Sequence, residues 1–323
     1  AGGKCMIAGE YSALLPGHWA LAVACTGGVV AEASRASSWR IERALHEGPW
    51  TPAHPVSDPF RFAAAAVHEM EKRGFSPCAV KTSSITTHDA LGPKTGVGTS
   101  ASATVAIVAA CAAAQPGATG DSTPQSEVHD IAKTAHASAQ GGRGSGYDIA
   151  TIVTGGLVAW NAAEGRARSL PWPGSLHTAL VHTGLSASTT HQIRAWETAI
   201  PSSRRRQAMT SLFTTTDAVI EAFDAQDVAT ILRALSATQE ALLAFDDRWD
   251  LGIAPPPLRT LCDAIGETGP VARISGAGGG DSILVFADTE SALDAALTVC
   301  TRSGLRIVTT ALPGPSVVVE RVQ

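Results

Sequence analysis

Apolar residues open the chain in short blocks, CMIA at 5–8 and then ALAVAC and GGVVAE within 20–32. They predict early strands on either side of a turn at Thr26 and Gly27, with LPG at 15–17 breaking the chain before them. The period lengthens at 58–73, DPFRFAAAAVHEMEKR, which begins on an Asp cap with proline at the first helical position and stops at Gly74, as a helix does. Alternation returns at 79–87, AVKTSSITT, and predicts a strand. Residues 101–114 are apolar on all sides but short for a bilayer span and carry Ser102 and Thr104, so they predict a buried helix. A Gly/Pro/Ser/Thr-rich loop at 115–126 precedes a helix at 127–139, and 149–160 and 176–183 read as strands. The second half is helical from 190 to 245, has a further helix from PPPL to Ile265, and ends strand-helix-strand between 281 and 320. Strands and helices mix without a steady βαβα rhythm, so the expected class is α+β. Its two subdomains, 1–172 and 173–323, divide at the Pro/Gly-rich link 171–174.

Composition narrows the function more than the fold. With 45% hydrophobic and 16% charged residues among 323, the chain can bury a large core, and a net charge of −5 gives no electrostatic reason to expect nucleic acid. Arg204, Arg205 and Arg206 are too short a run to change that, and read as a solvated helix face. Six cysteines without CxxC pairing or zinc-site spacing predict buried free thiols. With no secretory pattern at the start, a cytoplasmic setting without membrane attachment is expected.

The candidate chemistry lies in three glycine clusters. In PKTGVGTSASA, 93–103, Gly96 and Gly98 let the backbone approach an anion, the first N–H groups of the following helix point at it, and Lys94 adds positive charge. The same run satisfies GxGxxA through Gly96, Gly98 and Ala101. A dinucleotide site, however, wants a strand running straight into the glycines and an acidic residue about 20 positions later, and no acidic residue occurs between Lys94 and Asp121. No GK[ST] occurs, which excludes a Walker A loop. The second cluster, AQGGRGSGYDIA at 139–150, places Asp148 where the chain enters an apolar strand or helix; alone it would be an ordinary cap. The third, SGAGGGDS at 275–282, is too costly in backbone entropy for a simple hairpin unless a ligand comes close. Together the clusters suggest phosphoryl transfer to a small alcohol or phosphate.

At this point the residues resemble the GHMP small-molecule kinases, over nearly the whole chain. GGKCMIAGEYSALLPGHWAL at 2–21 is similar to the family's first motif in the form of its phosphomevalonate kinase branch. The three glycine clusters are similar to its second motif, its aspartate loop and its third motif, and HTGLSAST at 182–189 to a substrate-side segment of that branch. The resemblance implies a GHMP kinase fold, with a ribosomal-protein S5-like N-terminal subdomain and a ferredoxin-like C-terminal one, holding ATP and Mg²⁺ between them. Carried over by position, Gly96, Gly98, Thr99, Ser100 and Ala101 would wrap the triphosphate, Lys94 would neutralise it, and the hydroxyl of Ser100, or of Thr99, would ligate the metal. Asp148 would be the base or orienting carboxylate, with Lys4 as its electrostatic partner. Glu10, Tyr11, His18, Arg143 and Ser145 would line the acceptor, with Ser186, Ser188, Thr189 and the loop Gly276, Ala277, Gly278 and Gly279. The only implied partner is a small-molecule acceptor, phosphomevalonate or an analogue, for a monomer or homodimer.

Two departures from the family pattern bear on the acceptor. Mevalonate kinases carry a metal-binding Glu eleven positions before the Asp, where this chain has Ala137, and that favours the phosphomevalonate branch. That branch often has lysines where this chain has Leu185 and Thr190, so a kinase redirected to another small alcohol or phosphorylated metabolite stands beside the first reading. A catalytically silent sensor is the third, disfavoured because both Lys4 and Asp148 are retained.

Overall fold

The computed structural model describes residues 1–44, 46, 48–85, 96–118, 124–142, 144–185 and 188–320. One sheet contains β1 (Gly2–Ala8), β2 (Trp19–Arg35), β3 (Arg40–Arg43), β4 (Cys78–Ile85), β5 (Leu157–Asn161) and β6 (Arg166–Leu170). Its order is β3-β4-β2-β5-β6, with β1 antiparallel to β2 and only β3–β4 parallel. The second sheet is antiparallel, β10 (Arg306–Thr309), β7 (His177–His182), β9 (Ser282–Ala287) and β8 (Val271–Ile274) in that order. The link 171–176 carries the chain from one sheet to the other.

Helices α1 (Arg61–Lys72), α2 (Thr99–Ala113), α3 (Gln125–Ala139) and α4 (Tyr147–Thr154) share an apolar cluster with the first sheet, including Ile41, Val80, Val105, Ile131 and Ile152. The other face of that sheet meets the second sheet through Ile7, Leu21, Leu180 and Phe286. The far side of the second sheet is covered by α5 (Thr189–Ala199), α9 (Pro256–Gly266) and α10 (Glu290–Arg302). Between α5 and α9 the chain forms α6 (Ser202–Ala208), α7 (Thr210–Ala225) and α8 (Val228–Trp249). By length and composition α8 could cross a membrane, but Ile231, Leu235, Leu242 and Phe245 are buried in the core.

The architecture is α+β, as the mixed pattern predicts, and three elements differ from expectation. The two blocks in 20–32 form one continuous strand, β2, rather than two strands around a turn. Gly27 and Gly28 have positive φ within it, where the strand passes from β1 and β5 to β4. Residues 147–154 are helical although Ile, Thr and Val favour strands; Ile149, Ile152 and Val153 recur at helical spacing into the core, and the strand starts only at Leu157. After α10, only Arg306–Thr309 pairs as a strand among the described residues. Beyond it the tail crosses back to the first sheet, where the Gly314 N–H donates to the Ala24 carbonyl at 2.7 Å and the Gly156 N–H to the Gly314 carbonyl at 2.9 Å.

Candidate active site

Lys4 lies in β1 opposite Ala24, with its own N–H bonded to the Val97 carbonyl at 2.9 Å. That bond fastens the first glycine turn to the strand. Gly98 has φ 74°, and a Cβ on it would sit 2.8 Å from Lys4 Cε, so the lysine stem runs across the glycine with no room for a side chain. The Lys4 ammonium stands 5.3 Å from the centre of the Tyr147 ring. Burial works against its charge, but the Tyr147 phenol and then the Asp148 carboxylate outweigh it, holding Lys4 above the ordinary lysine range. Gly98 is also the cap position of α2 and offers no side-chain cap, leaving the positive end of the helix to whatever anion approaches.

Asp148 enters from the other side, in the first turn of α4, after Gly146 at φ 76°. Its Oδ1 accepts the Ile149 N–H at 2.9 Å, and its Oδ2 lies 3.5 Å from His136 Nδ1. On the far edge of that imidazole, Nε2 is 3.3 Å from Ser100 Oγ. The His136 ring stacks on Phe62 with centroids 4.9 Å apart. Burial pulls its pKa below the usual imidazole range; Asp148 opposes this, while Lys4 and Arg61 add to it. Ser100, His136 and Asp148, from three helices, thus form a continuous polar line beside Lys4.

The third glycine loop closes against both halves of the molecule. Ser275 Oγ accepts the Met6 N–H at 3.1 Å and donates to the Met6 carbonyl at 3.0 Å, which anchors the loop to the Lys4 strand. Tyr11 donates its phenolic proton to the Ala277 carbonyl at 2.7 Å. The Gly279 N–H donates to Ile253 and the Asp281 N–H to Leu185, so the loop is clamped by the second half as well.

A cation beside a carboxylate, an uncapped helix start and a loop spanning both halves suit a mobile phosphoryl group, and sequence comparison gives the lineage. Residues 61–156 match the family model described as the GHMP kinases N terminal domain, and 219–304 the one described as GHMP kinases C terminal, together more than half of the chain. The chain belongs to the GHMP kinase family. It is a phosphotransferase. A phosphomevalonate kinase of Streptomyces sp. (strain CL190) is 28% identical over 354 residues, covering 91% of this chain and 90% of its own length. Among solved structures, a Listeria innocua protein superposes with TM-score 0.85 at 21% identity, covering 96% of each chain. Streptococcus pneumoniae phosphomevalonate kinase, solved with phosphomevalonate and AMPPNP, gives 0.80 at 21% identity, covering 95% of this chain and 97% of the other.

In this GHMP kinase, Gly96, Gly98, Thr99 and Ser100 lie at the turn and the start of α2, with Thr99 exposed and Ser100 half-buried. Ala101 is fully buried in the helical core, so only its backbone N–H can serve a phosphate. Two expectations for the acceptor are corrected by burial. Glu10 is 2% exposed and accepts from Arg273 at 2.7 Å, and Tyr11 is 5% exposed and packed between Trp196 and Phe245, so both support the loop from behind. His18 is turned to the second half, stacked on Phe213 at 3.4 Å and accepting from Arg206 at 2.7 Å. Ser188 caps α5 through the His191 N–H, Thr189 is exposed beside it, and the Ser145 carbonyl accepts from Trp160. Gly276 and Gly279 are half-buried in the third loop, while Gly278 lies against Ile253. Lys94, Arg143 and Ser186 lie outside the described residues.

Sequence reasoning missed His136, Tyr147 and Arg273. His136 stands next to Ala137, the position singled out by comparison with mevalonate kinases, but nothing in the local sequence says that its ring reaches Ser100, 36 residues away.

Proposed function

We propose that this GHMP kinase transfers the γ-phosphoryl group of ATP to phosphomevalonate or a close analogue, yielding a diphosphate. The observation that carries the reading is the convergence of Lys4, Asp148 and the uncapped start of α2 at Gly98. Residues Gly96 to Ala101 hold the triphosphate through backbone N–H groups, and Lys4 spreads charge near the acceptor. Asp148 Oδ2 orients the acceptor oxygen and accepts its proton, its other oxygen being held by the Ile149 amide.

The oxygen donors suit Mg²⁺. Among the described residues no group of three His, Cys, Asp or Glu forms a cage, and Mg²⁺ is ordinarily held by one or two protein oxygens plus substrate phosphates. Ser100 Oγ is the ligand this chain offers, and when bound the ion would neutralise phosphate charge. Six unpaired cysteines support a reducing, cytoplasmic setting.

Leu185 favours a second acceptor. Where phosphomevalonate kinases often carry lysine, this side chain is apolar and set against Gly280, at 2.7 Å from a Cβ built there, and Thr190 is a neutral exposed residue. A different small alcohol or phosphorylated metabolite is therefore the alternative. An acceptor panel assayed for ADP release separates the two: turnover of phosphomevalonate well above mevalonate, homoserine and galactose is expected. Turnover of others with none on phosphomevalonate would establish the alternative.

A further inference from the structure

We infer that the tail after β10, residues 310–317, is a positioning strap for phosphoryl transfer, holding the strand of Lys4 and the helix of Asp148 at a fixed spacing through Gly314. The inference rests on the roles proposed above for Lys4 and Asp148. Ala24 stands directly opposite Lys4, yet neither donates its N–H to the other: Lys4 donates to Val97 at 2.9 Å and Ala24 to Gly156 at 2.8 Å. Gly156 follows the end of α4 and donates to the Gly314 carbonyl at 2.9 Å, and Gly314 donates to the Ala24 carbonyl at 2.7 Å. The three residues close a ring in which each donates to the next, with the tail wedged between β2 and the exit of α4. Both close approaches require glycine. A Cβ on Gly314 would sit 2.8 Å from the Cys25 carbonyl carbon, and one on Gly155 would run into the Ser316 backbone. Side chains seat the tail on the same two elements, Leu312 in the cluster of Cys5 and Cys25 and Val317 in that of Ile149 and Ile152. Ala24 and Gly314 are buried, so displacing the tail leaves a carbonyl and an amide without partners away from water. Because the tail leaves the second sheet at Thr309, it ties the half that carries the third glycine loop to both elements of the first.

Gly314→Val, with Gly314→Ala as the milder form, pushes the tail off Cys25 in the full chain. In the ligand-free protein, hydrogen exchange followed by NMR should find the Ala24, Gly156 and Gly314 amides protected, and those of Ala24 and Gly156 exchanging about 10-fold faster or more in the variants. With ATP and the acceptor turned over best in the panel above, Gly314→Val should lower kcat by about 10- to 100-fold, the scale of a small misplacement of reacting groups. AMPPNP affinity by calorimetry should change by less than about 2-fold. In a Lys4→Met or an Asp148→Asn background the same substitution should cost no more than about 2-fold further, since one member of the spaced pair is already gone. Leu293→Ala, a core change in α10, should lower the urea midpoint yet leave kcat within about 2-fold, which separates positioning from global stability. If Gly314→Val does not fold, Gly314→Ala carries the same cycle. A loss of the same size in both backgrounds would overturn the inference, as would unchanged kcat in both Gly314 variants, unaltered amide exchange, or a loss of AMPPNP affinity matching that of kcat. Full turnover in Lys4→Met and Asp148→Asn themselves would instead refute the roles on which the inference stands.

Discussion

At Asp148 one carboxylate oxygen is held by the Ile149 amide and the other faces His136, so a change that keeps the shape but removes the base is well defined. Asp148→Asn retains an acceptor for the amide. Steady-state kinetics should show kcat lower by about 10²- to 10⁴-fold, the usual contribution of a positioned base, while calorimetry finds AMPPNP binding intact. Equal loss of both would assign Asp148 to nucleotide binding instead. The pairing of Lys4 with Asp148 was legible in the sequence only through the resemblance to a family, since strand β1 and helix α4 are far apart in the chain. The turn ahead of α2 was legible locally, because Gly96 and Gly98 stand directly before an apolar helix. His136 and Tyr147 were not, since a buried histidine and an aromatic residue in a helix look like ordinary core until the fold brings them to Ser100 and Lys4.

At the scale of elements, the turn before α2 depends on a backbone that other residues adopt with strain. Gly98→Ala would place a methyl against Lys4 at positive φ, at a cost of about 1–3 kcal/mol. Thermal denaturation should show that loss, together with a raised KM for ATP, because the start of α2 and the lysine stem move together. The strand carrying Lys4 is tied to the second half by Arg273 on β8, which is fully buried and donates to the Ile7 carbonyl, Glu10 and Gln239. Removing the guanidinium leaves the Glu10 carboxylate buried and unpaired. Arg273→Met should therefore cost about 3–5 kcal/mol in urea unfolding, and adding Glu10→Leu should return much of it. No recovery would mean that packing, rather than charge, holds the two elements together. α4 shows why this scale was only partly legible: its β-branched residues carry strand propensity, and its helical form is imposed by burial against the neighbouring helices.

Across the whole molecule, the α+β class and the presence of three glycine loops followed from patterning, whereas their meeting place depended on pairings the sequence does not display. Glu10 is the clearest case: a charged residue in a recognised motif was expected at the ligand and is instead 2% exposed within the junction of the two halves. Global stability should also respond to acid through His129. Burial, opposed by Asp130 and reinforced by Lys133, lowers its pKa from 6.5 in the fold. As pH falls below that value the unfolded chain takes up a proton that the native state resists, so the stability tied to this group is lost on acidification. The urea midpoint of the native chain relative to His129→Gln should fall between pH 7.5 and pH 5, and a pH-independent difference would exclude that coupling. The central claim, phosphoryl transfer onto an acceptor that already carries a phosphate, is tested most directly by ³¹P NMR of the purified protein with ATP, Mg²⁺ and phosphomevalonate. The predicted result is loss of the monophosphate signal with growth of a diphosphate product and ADP, slowed by about 10²-fold or more in Asp148→Asn. An unchanged phosphomevalonate signal under conditions where another acceptor is phosphorylated would contradict it.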